Sequence, residues 1–135
     1  MLLSIHVLRI PVELILYQLF LNGKIPKLMT FSGWNFDIVI GFSALTLLIY
    51  VGISKKWIGR KLFIVWNFSG LLFLFFIVAL SVLSSPLKIQ KLAFDQPNIG
   101  VAEFPFCFLP TCVVPIVLMS HILLLQKTVQ KPSII

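Results

Sequence analysis

Charge is what this sequence lacks. Only 11% of its 135 residues are charged and just four are acidic, while 59% are hydrophobic; ordinary soluble domains carry roughly 25% charged residues. The deficit excludes a water-soluble globular protein. A chain of this length accommodates about four helices of about 20 residues with short connections, which leaves nothing for a separate soluble domain. Any chemistry therefore belongs to the helices or the segments that join them.

Other shortages narrow the reading further. Two cysteines, Cys107 and Cys112, are too few for a disulfide framework, and at i, i+5 on a regular helix their Cα atoms lie beyond the roughly 7 Å limit for a bridge. They read as apolar filler, with a quinone-linked thiol oxidoreductase as the distant alternative. No stretch has the ligand spacing of a metal site, and no internal repeat stands out. The net charge of +7 does not imply nucleic acid, because the basic residues flank apolar runs, where they act as topology signals and lipid-headgroup contacts. The N-terminus lacks the basic lead-in and small-residue cleavage site of a signal peptide, and Arg9, Pro11 and Glu13 interrupt its apolar core, so it is read as a retained helix.

What remains is four apolar segments: about residues 2–21, 36–54, 62–83 and 104–125. The fold class expected is all-α, a polytopic transmembrane helical bundle forming a single transmembrane domain over 1–135, embedded in the lipid bilayer. Asn22-Gly23 and Ser84-Ser85-Pro86 mark stops. The connection from Ser84 to Glu103 is long, and its loosely alternating Leu87, Ile89, Leu92 and Phe94 predict an interfacial amphipathic or re-entrant piece. Trp34, Trp57 and Trp66 fall near span ends, as an aromatic belt requires. Lys55, Lys56, Arg60, Lys61, Lys127 and Lys131 lie on one side, against Lys24, Lys27, Lys88 and Lys91 on the other. The positive-inside rule then puts both termini in the cytoplasm and the protein in the inner, cytoplasmic membrane.

Charge inside a span is costly, and the first span carries it. An Arg or an acid near a helix centre costs roughly 2.5–3.5 kcal/mol on insertion scales, so residues of this kind must be compensated internally. At about 100° per residue, His6, Arg9, Glu13 and Tyr17 share one stripe about 80° wide. Arg9 and Glu13, at i, i+4, are expected to pair, and Pro11 leaves the Val7 carbonyl without its helical donor. Asn67 and Gly70 share a face of the third span, which makes Asn67 a partner for the stripe; Asp37, Gly41, Ala44, Leu48 and Gly52 share a packing face of the second, with Asp37 placed to cap it. His6 and His121, the only histidines, lie at matched depth, which admits buried hydrogen-bonding groups first, a proton relay second and b-type haem ligation third. Pro105, Pro110 and Pro115 predict a broken fourth helix lining a cavity.

Two stretches are familiar as wholes: residues 9–37, RIPVELILYQLFLNGKIPKLMTFSGWNFD, and residues 94–121, FDQPNIGVAEFPFCFLPTCVVPIVLMSH. The sequence resembles an uncharacterised family of small polytopic bacterial membrane proteins of Bacteroidetes type, with R-x-P-V-E, M-T-F-x-G-x-N-F-D and F-D-Q-P-N then F-P-F motifs. The resemblance implies no activity. It implies a shortened or N-terminally truncated member, since the family's chains run longer before R-x-P-V-E, and one carrying Ser32 and Trp34 where Glu and Arg are common. It also directs attention to a second candidate site on the outward side, where Asn35, Asp37, Asp95, Gln96, Asn98 and Glu103 form an oxygen-rich group suited to a cation or polar ligand.

The function expected is a small transporter, channel or transport-accessory component with a buried polar track of His6, Arg9, Glu13, Asn67 and His121. No cofactor is implied and the reading leans away from an enzyme. A redox or metal-dependent membrane enzyme, and a structural or assembly subunit using helix partners or a second copy of itself, are the alternatives.

Overall fold

Runs of Leu, Ile, Val and Phe long enough to bury a helix on every side build the fold, and the polar residues set where each run stops. The computed structural model describes residues 2–55 and 58–130. Met1, Lys56, Trp57 and Lys131, on which some of the expectations above rest, lie outside them. Among the described residues there is no β-strand. Four helices are long and apolar enough to cross a membrane: α1 (Leu2–Leu21), α2 (Asp37–Ser54), α3 (Arg60–Ser84) and α4 (Leu109–Gln130).

Two of the four are irregular, and in each case proline accounts for it. In α1 a 3-10 turn, His6–Leu8, separates Leu2–Ile5 from Arg9–Leu21. Pro11 has no N–H for the Val7 carbonyl and its ring crowds that carbonyl, so the turn holding Val7 tightens. In α4, Leu109–Val113 is a wide π turn preceding the regular Val114–Gln130. Pro110 and Pro115, five residues apart, bring no N–H to this stretch, and the register widens between them. The fourth helix thus starts five residues later than the apolar run suggests; residues 104–107 are turns.

The connections differ from expectation. Residues 22–36 fold back into the bundle: Ile25, Met29, Thr30 and Asn35 are buried, with the 3-10 turn Lys27–Met29 against α3. Residues 85–103 form turns and one 3-10 turn, Gly100–Ala102, in place of the amphipathic segment read from the sequence. The two connections are fastened together. The amides of Ile99 and Gly100 donate to the Lys24 carbonyl at 3.0 and 2.8 Å, and the Gln96 side chain donates to the carbonyls of Phe20 and Ile25. Asn98 in turn donates to the Ser81 hydroxyl at 2.8 Å and carbonyl at 3.1 Å, tying the connection to α3.

The core has three layers. Leu3, Ala44, Phe63 and Leu124 form one apolar cluster; Leu16, Leu19, Ile25, Met29, Ile77 and Leu80 form another. His6, Arg9 and Glu13 of α1, Asn67 of α3, and Ser120 and His121 of α4 fall between these two in sequence, so a polar layer is enclosed by apolar ones. Helix approach in that layer depends on two glycines. A Cβ at Gly41 would lie 2.9 Å from Ile10 Cγ1, and one at Gly70 would run into the His121 ring.

Candidate functional site

The polar layer is built around Arg9. Its Nη1 donates to Asp37 Oδ1, and its Nη2 donates to the Gly70 carbonyl at 3.2 Å and to His121 Nε2 at 2.9 Å. Arg9 is 2% exposed and Asp37 7%, so this is a buried ion pair whose second terminal nitrogen reaches α3 and α4, while Nε has no partner among the described residues. One side chain on α1 therefore bonds to all three other helices.

The pairing differs from the sequence reading. Arg9 pairs with Asp37, not with Glu13 one turn along. The reason is the inward fold of residues 22–36, which starts α2 at the depth of Arg9 and gives the guanidinium a carboxylate on the facing helix. Asp37 accordingly does not cap α2, whose N-cap position is Phe36. Asn35 precedes it, and its Oδ1 accepts from the Asp37 amide at 3.1 Å, while its Nδ2 donates to Glu13 Oε1 and to the Met29 carbonyl at 3.1 Å.

His121 and His6 carry their protons on different nitrogens. Arg9 has only donors, so His121 Nε2 accepts and the ring's proton sits on Nδ1, which donates to Asn67 Oδ1 at 2.9 Å. Asn67 Nδ2 is oriented by donation to the Phe63 carbonyl at 3.3 Å. The Ser120 hydroxyl donates to the Leu2 carbonyl at 2.8 Å and so accepts from His6 Nε2 at 3.2 Å. Among the described residues His6 Nδ1 has no partner. The two rings touch, centroids 4.0 Å apart and tilted 39°, which leaves no room for a porphyrin iron between them. Trp66 closes this end, its ring 5.4 Å from His6 and 5.9 Å from His121, with its indole N–H on Ser43 Oγ at 2.8 Å. It is therefore part of the interior packing and not of an aromatic belt; Trp34, in contrast, is exposed.

On the other side of Arg9 the layer opens into a cavity of about 170 Å³. Val12 and Leu16 of α1, Leu74, Ile77 and Val78 of α3, and Val113, Val114 and Val117 of α4 form apolar walls, and Arg9, Glu13 and Asp37 supply its polar end. The π turn of α4 lines it, as the proline spacing suggests for a broken helix. Glu13 is 1% exposed; Oε1 is held by Asn35, the backbone amide of Phe31 also faces the carboxyl, and Oε2 has no hydrogen-bond partner among the described residues. An acyl-sized or amine-sized ligand entering this space would meet hydrocarbon on most sides and a carboxyl at one end.

The expected inner group of His6, Arg9, Glu13, Asn67 and His121 is thus brought together in one layer, extended by Asn35, Asp37 and Ser120. Tyr17, the fourth member of the stripe, lies apart, its ring 4.9 Å from Phe31. The expected outward group is divided. Asn35 and Asp37 turn inward, Asn98 is buried on α3, Glu103 pairs with Lys24 at 2.8 Å, and Asp95 borders a surface cleft with Gln96 and Trp34. Among the described residues no group of three or more His, Cys, Asp or Glu is arranged to hold a metal ion. Cys107 and Cys112 are both free, with Cys112 exposed. Ser120 carries a signal the sequence did contain: with Val117, His121, Leu124 and Thr128 it forms one buried face at helical spacing.

No curated protein and no solved structure matches the chain. Residues 1–129 match a family described as a domain of unknown function, DUF8737, and the chain belongs to that family.

Proposed function

We propose that this chain is an integral membrane protein, a small transporter or transport-accessory component, whose ligand site is the cavity beside Arg9, Glu13 and Asp37. The observation that carries the reading is the pairing of apolar walls with a buried carboxyl that the protein leaves without a donor at Oε2. Burying a polar group without a partner costs about 1–3 kcal/mol in proteins, and a fold that has no use for the group relieves that cost by an apolar substitution. Ionisable residues within a span face a bundle interior or water-filled cavity and mark a substrate or ion path. Four apolar helices support membrane insertion, and the distribution of Lys and Arg supports cytoplasmic termini and the cytoplasmic membrane.

The test is flux. In reconstituted vesicles, substitution of Glu13 by Gln is expected to abolish ion or proton movement that the wild-type chain supports. Equal flux through wild type and variant overturns the reading.

A further inference from the structure

Charge is not balanced at the cavity. One guanidinium faces two carboxyl groups, and its terminal nitrogens are committed, Nη1 to Asp37 and Nη2 to Gly70 and His121, while Nε has no partner among the described residues. Among the described residues Glu13 forms no ion pair. The groups packed around it supply no second cation. Arg9 and His6 come from its own helix, Asp37 from α2 and His121 from α4, where the proton sits on Nδ1 toward Asn67; α3 contributes only Asn67 and Ser81, and the connection before α2 contributes Asn35. A lone carboxylate in hydrocarbon is far too costly, so the surplus carboxyl is neutralised either by a proton or by a cation brought in from outside.

The walls decide which cation. A bare metal ion needs six or so oxygen ligands, and the cavity offers two carboxyl groups and the Ser81 hydroxyl, with the Arg9 guanidinium beside them and mostly Val, Leu and Ile elsewhere. A cation carrying its own apolar substituents needs only one counter-charge and buries the rest of its surface against those side chains. The volume matches this scale, since a dry cavity of about 150 Å³ holds a benzene-sized guest. Building on the ligand site proposed above, we infer that the cavity takes a small alkyl-substituted ammonium ion. Its charge lies against Glu13 Oε2 and its alkyl groups against Val78, Val113 and Val117. The proton that neutralises Glu13 in the empty site leaves as the cation enters, so that proton and cation exchange at one carboxyl.

The experiment is calorimetric titration of the full chain in phosphatidylglycerol nanodiscs, which contain no ammonium headgroups, with choline as probe and its uncharged isostere 3,3-dimethylbutan-1-ol as control. Choline is expected to bind, to release one proton as judged from buffers of different ionisation enthalpy, and to weaken about tenfold per unit fall in pH over the range in which Glu13 holds its proton. The isostere is expected to bind far more weakly and without that pH dependence. Glu13→Gln is expected to abolish choline binding; Val78→Phe, which fills the cavity and leaves the carboxyl in place, is expected to abolish it as well. In phosphatidylcholine nanodiscs, loss of choline binding identifies a lipid headgroup as the natural source of the ammonium group, and undiminished binding identifies a free ion. Choline and isostere binding equally, choline binding without proton release, or no binding of either overturns the inference. Glu13-dependent flux without choline binding would leave the transport reading standing and remove only the cation.

Discussion

Gly70 lies beneath the His121 imidazole so closely that a Cβ at position 70 would come within 2.7 Å of Nε2. The same residue's carbonyl accepts from Arg9, whose Nη2 also reaches His121. The ring cannot retreat, because Asn67 holds its other nitrogen at 2.9 Å and Trp66 packs beside it. Gly70→Ala is therefore expected to destabilise the bundle by about 1–3 kcal/mol, the usual cost of overpacking. Denaturant titration of the protein in mixed micelles checks this; an unchanged midpoint counts against the contact. Gly52→Ala, within α2 and with nothing near its missing Cβ, is the matched control, expected to leave the midpoint unchanged or raise it through helix propensity, worth up to about 1 kcal/mol.

The hydrogen bonds require opposite tautomers in the two histidines. His121 is expected as the Nδ1–H form and His6 as the Nε2–H form, distinguishable by long-range proton–nitrogen correlation of the imidazoles. Asn67→Leu removes the acceptor for His121 Nδ1 and is expected to disturb that ring's shifts while leaving the His6 pattern. Identical tautomers in the two rings would contradict the arrangement.

The buried ion pair makes a prediction about which single changes are worst. Replacing Arg9 by Met strands Asp37, which is 7% exposed, among apolar groups, and breaking such a pair by removal of one partner costs about 3–5 kcal/mol. Arg9→Met combined with Asp37→Asn removes both charges and is expected to recover most of that loss. A double-mutant cycle on unfolding midpoints measures the coupling, and strict additivity of the two single changes would show that the pair is not formed.

How much of this layer the sequence disclosed depends on the range of the interaction. The stripe His6–Arg9–Glu13, the facing Asn67 and Gly70, and the break in α4 follow from helical periodicity and proline chemistry, which are local. The choice of Asp37 over Glu13 as the partner of Arg9 is not local. It arises because Ile25, Met29 and Thr30 carry residues 22–36 inward, and nothing in that polar, glycine-bearing stretch distinguishes a buried connection from a solvated one. For the same reason Asn35 reads as a loop residue in sequence and is a hub in structure, joining Glu13, Met29 and the first turn of α2. Trp66 stands near a span end in sequence, yet its spacing of one from Asn67 and three from Phe63 also fits the inward face it occupies beside His6 and His121.

Asn35 and Glu13 are expected to behave oppositely. Asn35→Ala removes the donor to Glu13 and to the Met29 carbonyl, and the acceptor of the Asp37 amide, leaving buried groups unsatisfied. At about 1–3 kcal/mol for each such group the variant is expected to lose several kcal/mol. Glu13→Gln keeps an oxygen for Asn35 and removes the ionisable group, so its unfolding midpoint is expected to equal or exceed that of wild type even as flux is lost. A Gln variant that unfolds as readily as the Ala variant would mean that Glu13 serves the fold and not a ligand.

The outer fastening separates two kinds of contact that look alike on paper. Lys24 Nζ bridges both oxygens of Glu103 at 2.8 and 2.9 Å, but the side chains are 40% and 45% exposed. Exposed pairs of this kind contribute between about 0 and 1 kcal/mol, because water competes for both charges. Directly beneath, the Lys24 carbonyl accepts from Ile99 and Gly100, and a Cβ at Gly100 would lie 2.8 Å from Lys24 Cβ and 3.2 Å from Ile25 Cγ2, against a buried backbone that cannot yield. Lys24→Met is therefore expected to leave the unfolding midpoint within about 1 kcal/mol of wild type, while Gly100→Ala separates the two connections and costs more, about 1–3 kcal/mol. Limited proteolysis between residues 85 and 103 gives the second readout: cleavage is expected to accelerate in the Gly100 variant and not in the Lys24 variant, and the reverse order would assign the fastening to the ion pair.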